Sequence, residues 1–182
     1  MNVHDQLESD HTDLDRLLGN IFAALDGGGH AEVYRTLDFF WARLAMHIRA
    51  EHLRLFPAVL KIRDTPPHNA GLVRVPADLA ATIDGLHADH DFFMRSLVRA
   101  IKALRLVPHG GNEAETLSVV RKILEQVESR LALHNRIEEG QIYPLAEGDL
   151  FRTADLEELS RTITAELENL PRRFAADRGT ER

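Results

Sequence analysis

Four long stretches of this sequence carry apolar residues at alternating steps of three and four, the pattern of a helix with one buried face. No stretch shows sustained period-two alternation of β-branched residues, so strands are not expected. The first helix runs to about Asp26 and stops at Gly27-Gly28-Gly29. The second starts near Ala31 and meets Pro57, which should bend or end it, with a short continuation to about Arg63. A loop from Asp64 to Pro76, containing Pro66, Pro67 and His68, leads into a third helix over about Ala77 to Val107. Pro108-His109-Gly110-Gly111 closes it. Asn112 then opens the fourth as an N-cap, with Glu115 placed for a capping box, and that helix ends near Pro144.

The expected fold is all-α: an up-down-up-down four-helix bundle over residues 1–148, with an additional C-terminal helix within 149–182. In that extension Leu156, Leu159, Ile163, Leu167, Leu170 and Phe174 share one face. The helix either covers one side of the bundle or forms a subunit interface, as in a homodimer. Ala176 to Arg182 should fray. At 182 residues and 44% hydrophobic content the chain suits one domain with a real core.

The helix faces are informative residue by residue. The first buried seam reads Leu7, His11, Leu14, Leu18, Ile21, Leu25. The second reads Val33, Leu37, Phe40, Leu44, His47, Glu51, Leu55. The third is Leu79, Ile83, Leu86, His90, Phe93, Leu97, Ile101, Leu104. The fourth is Leu117, Val120, Leu124, Val127, Leu131, His134, Glu138. Each seam is apolar apart from one histidine, and two add a glutamate one turn later. At about 1.5 Å per residue His11 and His47 come to nearly one height in a hairpin. His90 and His134 differ by about one turn, which an uneven connection absorbs.

One seam histidine is more often a hydrogen-bonded core residue than a ligand. Four at a common level, one per helix, are hard to reach by accident. The glutamates weigh more, because a buried unpaired carboxylate costs several kcal/mol or becomes protonated. No Lys or Arg lies on a seam, and Arg49 and Arg136, two residues from seam histidines, point elsewhere. A metal cation between the helices is therefore expected.

The chain also repeats itself. His47-Ile48-Arg49-Ala50-Glu51 is echoed by His134-Asn135-Arg136-Ile137-Glu138, each followed by two apolar residues and a proline, and Asp10-His11 is echoed by Asp89-His90. Two similar hairpins facing each other suit two metals better than one. Imidazole and carboxylate ligands suit iron or manganese, with zinc allowed by chemistry alone. Absent cysteine excludes disulfides, thiolate zinc sites and iron–sulfur clusters. An oxo, hydroxo or carboxylate-type bridge would reduce the surplus positive charge. Six ligand residues also underfill two six-coordinate ions, leaving positions for a small exogenous molecule.

These residues resemble the hemerythrin-like, or HHE cation-binding, family over about Asp5 to Leu145. The resemblance implies two non-haem Fe ions with an oxo or hydroxo bridge. His11, His47, Glu51, His90, His134 and Glu138 would be the ligands, with Glu51 and Glu138 bridging. Oxygen-carrying members have a fifth histidine on the third helix, four residues from its neighbour; here His87 stands three before His90 and is a candidate additional ligand. Those members place the last carboxylate five residues after its histidine, which would be Glu139. Glu138 lies on the seam and matches the first hairpin, so it is preferred. His4, His30, His52, His68 and His109 are expected on the surface or in loops.

The expected function is binding or reaction with O2, nitric oxide or peroxide, with Leu44, Ile48, Phe93, Leu97 and Ile137 as an apolar wall favouring a diatomic ligand. The alternative is iron storage, donation or repair of damaged iron centres under oxidative or nitrosative stress. A ferritin-like carboxylate site would need Glu-x-x-His on two helices, and only Glu8 to His11 fits, with Glu8 off the seam. A metal-free helical interaction module is the reading without chemistry. Net charge is −7 with no basic stripe, so nucleic acid is not an expected partner. Met1 to Asp10 carries no apolar leader and no run reaches the ~20 apolar residues of a membrane span. A cytoplasmic location follows as the expectation.

Overall fold

The computed structural model describes residues 2–27, 29–63, 76–147, 151 and 153–174, and every regular element among them is helical. The α-helices are α1 (Val3–Gly27), α2 (His30–Ala50), α3 (Phe56–Arg63), α4 (Leu79–Leu106), α5 (Glu113–Ile137) and α6 (Thr153–Leu167). α1 packs on α2 and α4 on α5, and contacts of α2 with α4 and α1 with α5 close a helical bundle. Among the described residues no helix is long and apolar enough to cross a membrane. The loop expected from Asp64, with His68, and the tail from Ala176 lie outside the described residues.

The burial pattern follows the seams: each of their residues is buried except half-buried Leu117. Apolar residues collect in two clusters. One holds Leu14, Phe40, Phe93 and Leu124, and the other holds Leu7, Phe56, Ile83 and Tyr143. Between them, one per helix, lie His11, His47, His90 and His134, so the polar layer interrupts the core at one height.

The connection from α4 to α5 supplies part of the height by which the two arms differ, about 1.5 Å of roughly one helical turn. α4 ends in a 3₁₀ turn, Val107–His109, before Gly110 takes the left-handed φ of 97° that favours glycine. A 3₁₀ turn rises about 2.0 Å per residue against about 1.5 Å in an α-helix, so three residues of it lengthen the shorter arm. Asn112 caps α5, its Oδ1 accepting the Glu115 N–H at 3.2 Å. Glu113 makes the longer-range contact, accepting the His30 N–H at 2.9 Å and tying the starts of α2 and α5 together.

Both glutamate-bearing helices widen at the same place. α2 passes into a π-helical turn over Glu51–Leu55 and α5 into one over Glu138–Ile142. The Phe56 N–H reaches back to the Glu51 carbonyl and the Tyr143 N–H to the Glu138 carbonyl. Each turn stands just before a proline, Pro57 or Pro144, which has no N–H to donate to the preceding turn. The first chain segment continues as α3 to Arg63, the second as a 3₁₀ turn over Tyr143–Ala146.

α6 lies on α2 and α1. Leu159 and Ile163 are buried beneath it, and buried Glu166 accepts hydrogen bonds from Arg49 at 2.7 Å and Arg54 at 2.6 Å. Gln6 donates to Thr164 Oγ1 at 2.9 Å and Arg43 to the Leu167 carbonyl at 3.3 Å. Arg49 thus points away from the histidine layer, as its position two residues from His47 requires.

Candidate metal centre

The i, i+4 spacing along α2 and α5 places His47 over Glu51 and His134 over Glu138 on one face of each helix. With His11 from α1 and His90 from α4, these side chains form two buried groups. His11, His47, Glu51 and Glu138 make one; Glu51, His90, His134 and Glu138 make the other, and in each the potential ligand atoms all lie within 4.8 Å of one another. The two glutamates belong to both groups, one oxygen to each. Glu51 Oε1 is 3.4 Å from His47 Nε2 while its Oε2 is 3.3 Å from His90 Nε2. Glu138 Oε2 is 3.3 Å from His11 Nε2 while its Oε1 is 3.1 Å from His134 Nε2.

Those separations fit a cation. Donors at about 2.1 Å from an ion, spaced at right angles, stand about 3 Å apart. Three of the converging atoms, Glu51 Oε2, Glu138 Oε1 and His90 Nε2, are buried without a hydrogen-bond partner. Unsatisfied buried polar atoms are rare, and a missing ion is one of their standard causes.

Each ring is oriented from behind, through its outer nitrogen. Asp10 Oδ2 meets His47 Nδ1 at 3.0 Å and Asp10 is itself paired with Arg43. Asp89 Oδ2 meets His134 Nδ1 at 3.3 Å, and its Oδ1 accepts from Arg130 at 2.5 Å. The Asp of each Asp-His pair therefore serves the histidine of the next helix, with an arginine four residues before that histidine. Glu139 Oε1 meets His11 Nδ1 at 2.7 Å, and His52 Nε2 meets His90 Nδ1 at 2.8 Å. Such partners fix ring orientation and raise ligand basicity.

Without a cation, protons balance the charges. Burial disfavours the His47 imidazolium, but Glu51 and Asp10 outweigh it and hold that group well above the usual imidazole range. His134 is raised too, burial opposing and Glu138 prevailing. Burial pushes Glu51 up, yet His47 and His90 bring it well below the usual carboxylate range. Burial, with the Glu138 and Glu51 charges, holds the Tyr143 phenol well above its ordinary value.

All six expected ligand residues come together. His87 does not join the converging donors: its ring packs on His52 at 4.3 Å and Phe56 at 5.3 Å between centroids. Glu139 sits behind His11, while Glu138 faces inward. His30 and His109 are peripheral, His30 pairing with Glu113, and His4 pairs with Glu147 while its ring lies 5.9 Å from Tyr143.

His52 corrects the expectation of a surface residue. It is partly buried against His90, and burial with the His90 and His87 charges pushes its imidazolium down to about 4. It follows Glu51 as Glu139 follows Glu138, and that echo was the available signal. Tyr143 was also missed, hidden as the second apolar residue of the repeat. Its hydroxyl, fully buried, donates to Glu51 Oε1 at 2.8 Å and lies 3.0 Å from His11 Nε2.

Searches of curated proteins and of solved structures found no significant match to the chain. The family model for the hemerythrin HHE cation-binding domain matches residues 2–146, the span that carries all four bundle helices and both glutamate-bearing π-turns. With histidine and glutamate groups suited to metal cations at its centre, the chain belongs to the hemerythrin HHE cation-binding domain family.

Proposed function

We propose that this chain is a non-haem di-iron protein whose up-down-up-down bundle presents the metal pair to O2, nitric oxide or peroxide. The observation that carries this reading is the division of Glu51 and Glu138, each with one carboxylate oxygen toward the His11–His47 group and the other toward the His90–His134 group. Such a division suits two cations sharing two carboxylates, with His11, His47, His90 and His134 as terminal ligands and an oxo or hydroxo bridge as the remaining link. A bound iron pair supplies two one-electron redox centres and exchangeable coordination positions.

The chain's own residues do the rest. Asp10, Asp89, Glu139 and His52 hold the four imidazoles with their inner nitrogens converging. Buried Phe93 lies against the rings of His134 and His90, 5.3 and 6.4 Å away between centroids. With Leu44 and Leu97 buried in the same cluster, it excludes water and large polar substrates from that side.

The test is metal content per chain after expression in iron-supplemented medium, repeated on His134→Ala. Two irons per chain, reduced in the variant, are expected. Admitting O2 to Fe(II)-loaded protein should develop near-ultraviolet oxo-bridge absorption. A chain that takes up no iron and shows a spectrum indifferent to O2 refutes the reading, and iron that passes readily to a mild chelator would favour iron donation.

A further inference from the structure

The two halves of the site are built on the same plan and differ at the residue that closes each π-turn. Phe56 follows Glu51 by five residues and Tyr143 follows Glu138 by five, each at the end of a π-turn. The wide turn is what brings a residue at i+5 onto the face that carries the glutamate. Phe56 presents only carbon, its ring stacked on His90 at 6.1 Å with an interplanar angle of 11°. Tyr143 presents a hydroxyl inside the His11–His47 group. That oxygen is 2.8 Å from Glu51 Oε1, 3.0 Å from His11 Nε2, 3.3 Å from Glu138 Oε2 and 3.5 Å from His47 Nε2.

A phenol oxygen donates one hydrogen bond and accepts at most two, so four polar neighbours within 3.5 Å exceed what its own hydrogen bonds use. The spacing is that of neighbouring donors around one ion, about 3 Å apart. The unsatisfied atoms of the site are distributed accordingly. Glu51 Oε2, Glu138 Oε1 and His90 Nε2 all belong to the His90–His134 half, the half with phenylalanine.

We propose that the phenol oxygen of Tyr143 is a further protein ligand of the cation held by His11 and His47, and that the position open to a small exogenous molecule lies on the His90–His134 side. The inference rests on the di-iron reading above. On ligation the phenol O–H is replaced by an oxygen–metal bond and its proton leaves to solvent. The two metal positions are then unequal: one takes five protein donors, the other four and a phenylalanine wall.

The experiment uses the full chain loaded with iron and oxidised to Fe(III). A visible phenolate-to-iron charge-transfer band is expected, with tyrosinate ring modes enhanced in resonance Raman on excitation into it. Tyr143→Phe should lose the band and those modes while keeping two irons per chain and its helical circular dichroism. The chain has one other tyrosine, Tyr34, which hydrogen-bonds Arg105 far from the site, so a band that survives Tyr143→Phe overturns the proposal. Azide added as the probe should give its own charge-transfer band in wild type and in Tyr143→Phe, and lose it in Phe56→Tyr. Azide binding unaffected by Phe56→Tyr overturns the placement of the open position. Two irons without a phenolate band overturn this proposal alone. One iron and no such band would make Tyr143 a hydrogen-bond donor filling the first pocket, also overturning it. No iron at all removes the di-iron reading together with the inference.

Discussion

Asp10 and Asp89 offer no atom to the converging donors, yet each fixes a ring that does. Removing the carboxylate frees His47 Nδ1 and takes the ion-pair partner from Arg43. Asp10→Ala is expected to weaken metal affinity by about 10–100-fold, the usual cost of losing such a support. Competition with a chelator of known affinity measures it; unchanged affinity would show that packing alone holds the ring. Glu51→Ala separates the metal protein from a metal-free helical module. In the module iron is irrelevant, so wild type and Glu51→Ala should each melt at the same temperature with and without iron. In a metal protein the variant should lose bound metal and melt lower than loaded wild type. Melting curves of both chains, each with and without iron, decide between them.

At the scale of elements, α6 is a strap whose buried ion-pair anchor is the Glu166 carboxylate. Glu166 is held below the usual carboxylate range by Arg54, with burial opposing and Arg49 assisting. A depressed folded-state pKa contributes stability above the unfolded value of 4.5 and loses it as pH falls through the folded value. Hydrogen exchange of α6 amides should therefore quicken in acid below about pH 4.5, relative to α4, and Glu166→Gln should give the quicker rate already at neutral pH. Identical pH profiles for Glu166→Gln and wild type would exclude this anchor. The same scale shows what the sequence made legible. The seams were readable because a period of 3.6 is a property of neighbouring side chains, and Leu14, Phe40, Leu97 and Leu124 follow it into the core. The π-turns were not, because Pro57 and Pro144 announce a break without saying that the preceding turn widens. That widening re-aims the residues after each glutamate. For this reason His52 fell off the expected seam and Tyr143 was taken for an apolar residue.

For the whole molecule, the cation and the protons compete for one cavity. His47 and His134 are both raised above the ordinary imidazole value of 6.5, by carboxylates that face the same space. An imidazole must be neutral to bind a metal, so loading has to displace those protons, whereas Glu51, already lowered, has none to give up. A raised folded-state pKa contributes stability to the metal-free chain below 6.5 and loses it as pH rises through the folded value. Metal affinity should move the opposite way, rising with pH across that window. At a free-ion concentration 100 times the dissociation constant, binding stabilises by about 2.7 kcal/mol, or about 5–11 °C in melting temperature for a chain of this size. That increment should shrink as pH falls from 8 toward 6, even though His47 and His134 contribute more stability to the metal-free chain over the same interval. Calorimetric titration at pH 7 in buffers of different ionisation enthalpy counts the protons directly. Net release on loading is expected, smaller in His47→Ala than in wild type. Zero release would mean that the imidazoles are neutral before the cation arrives, and that the carboxylates around them are balanced by some other charge.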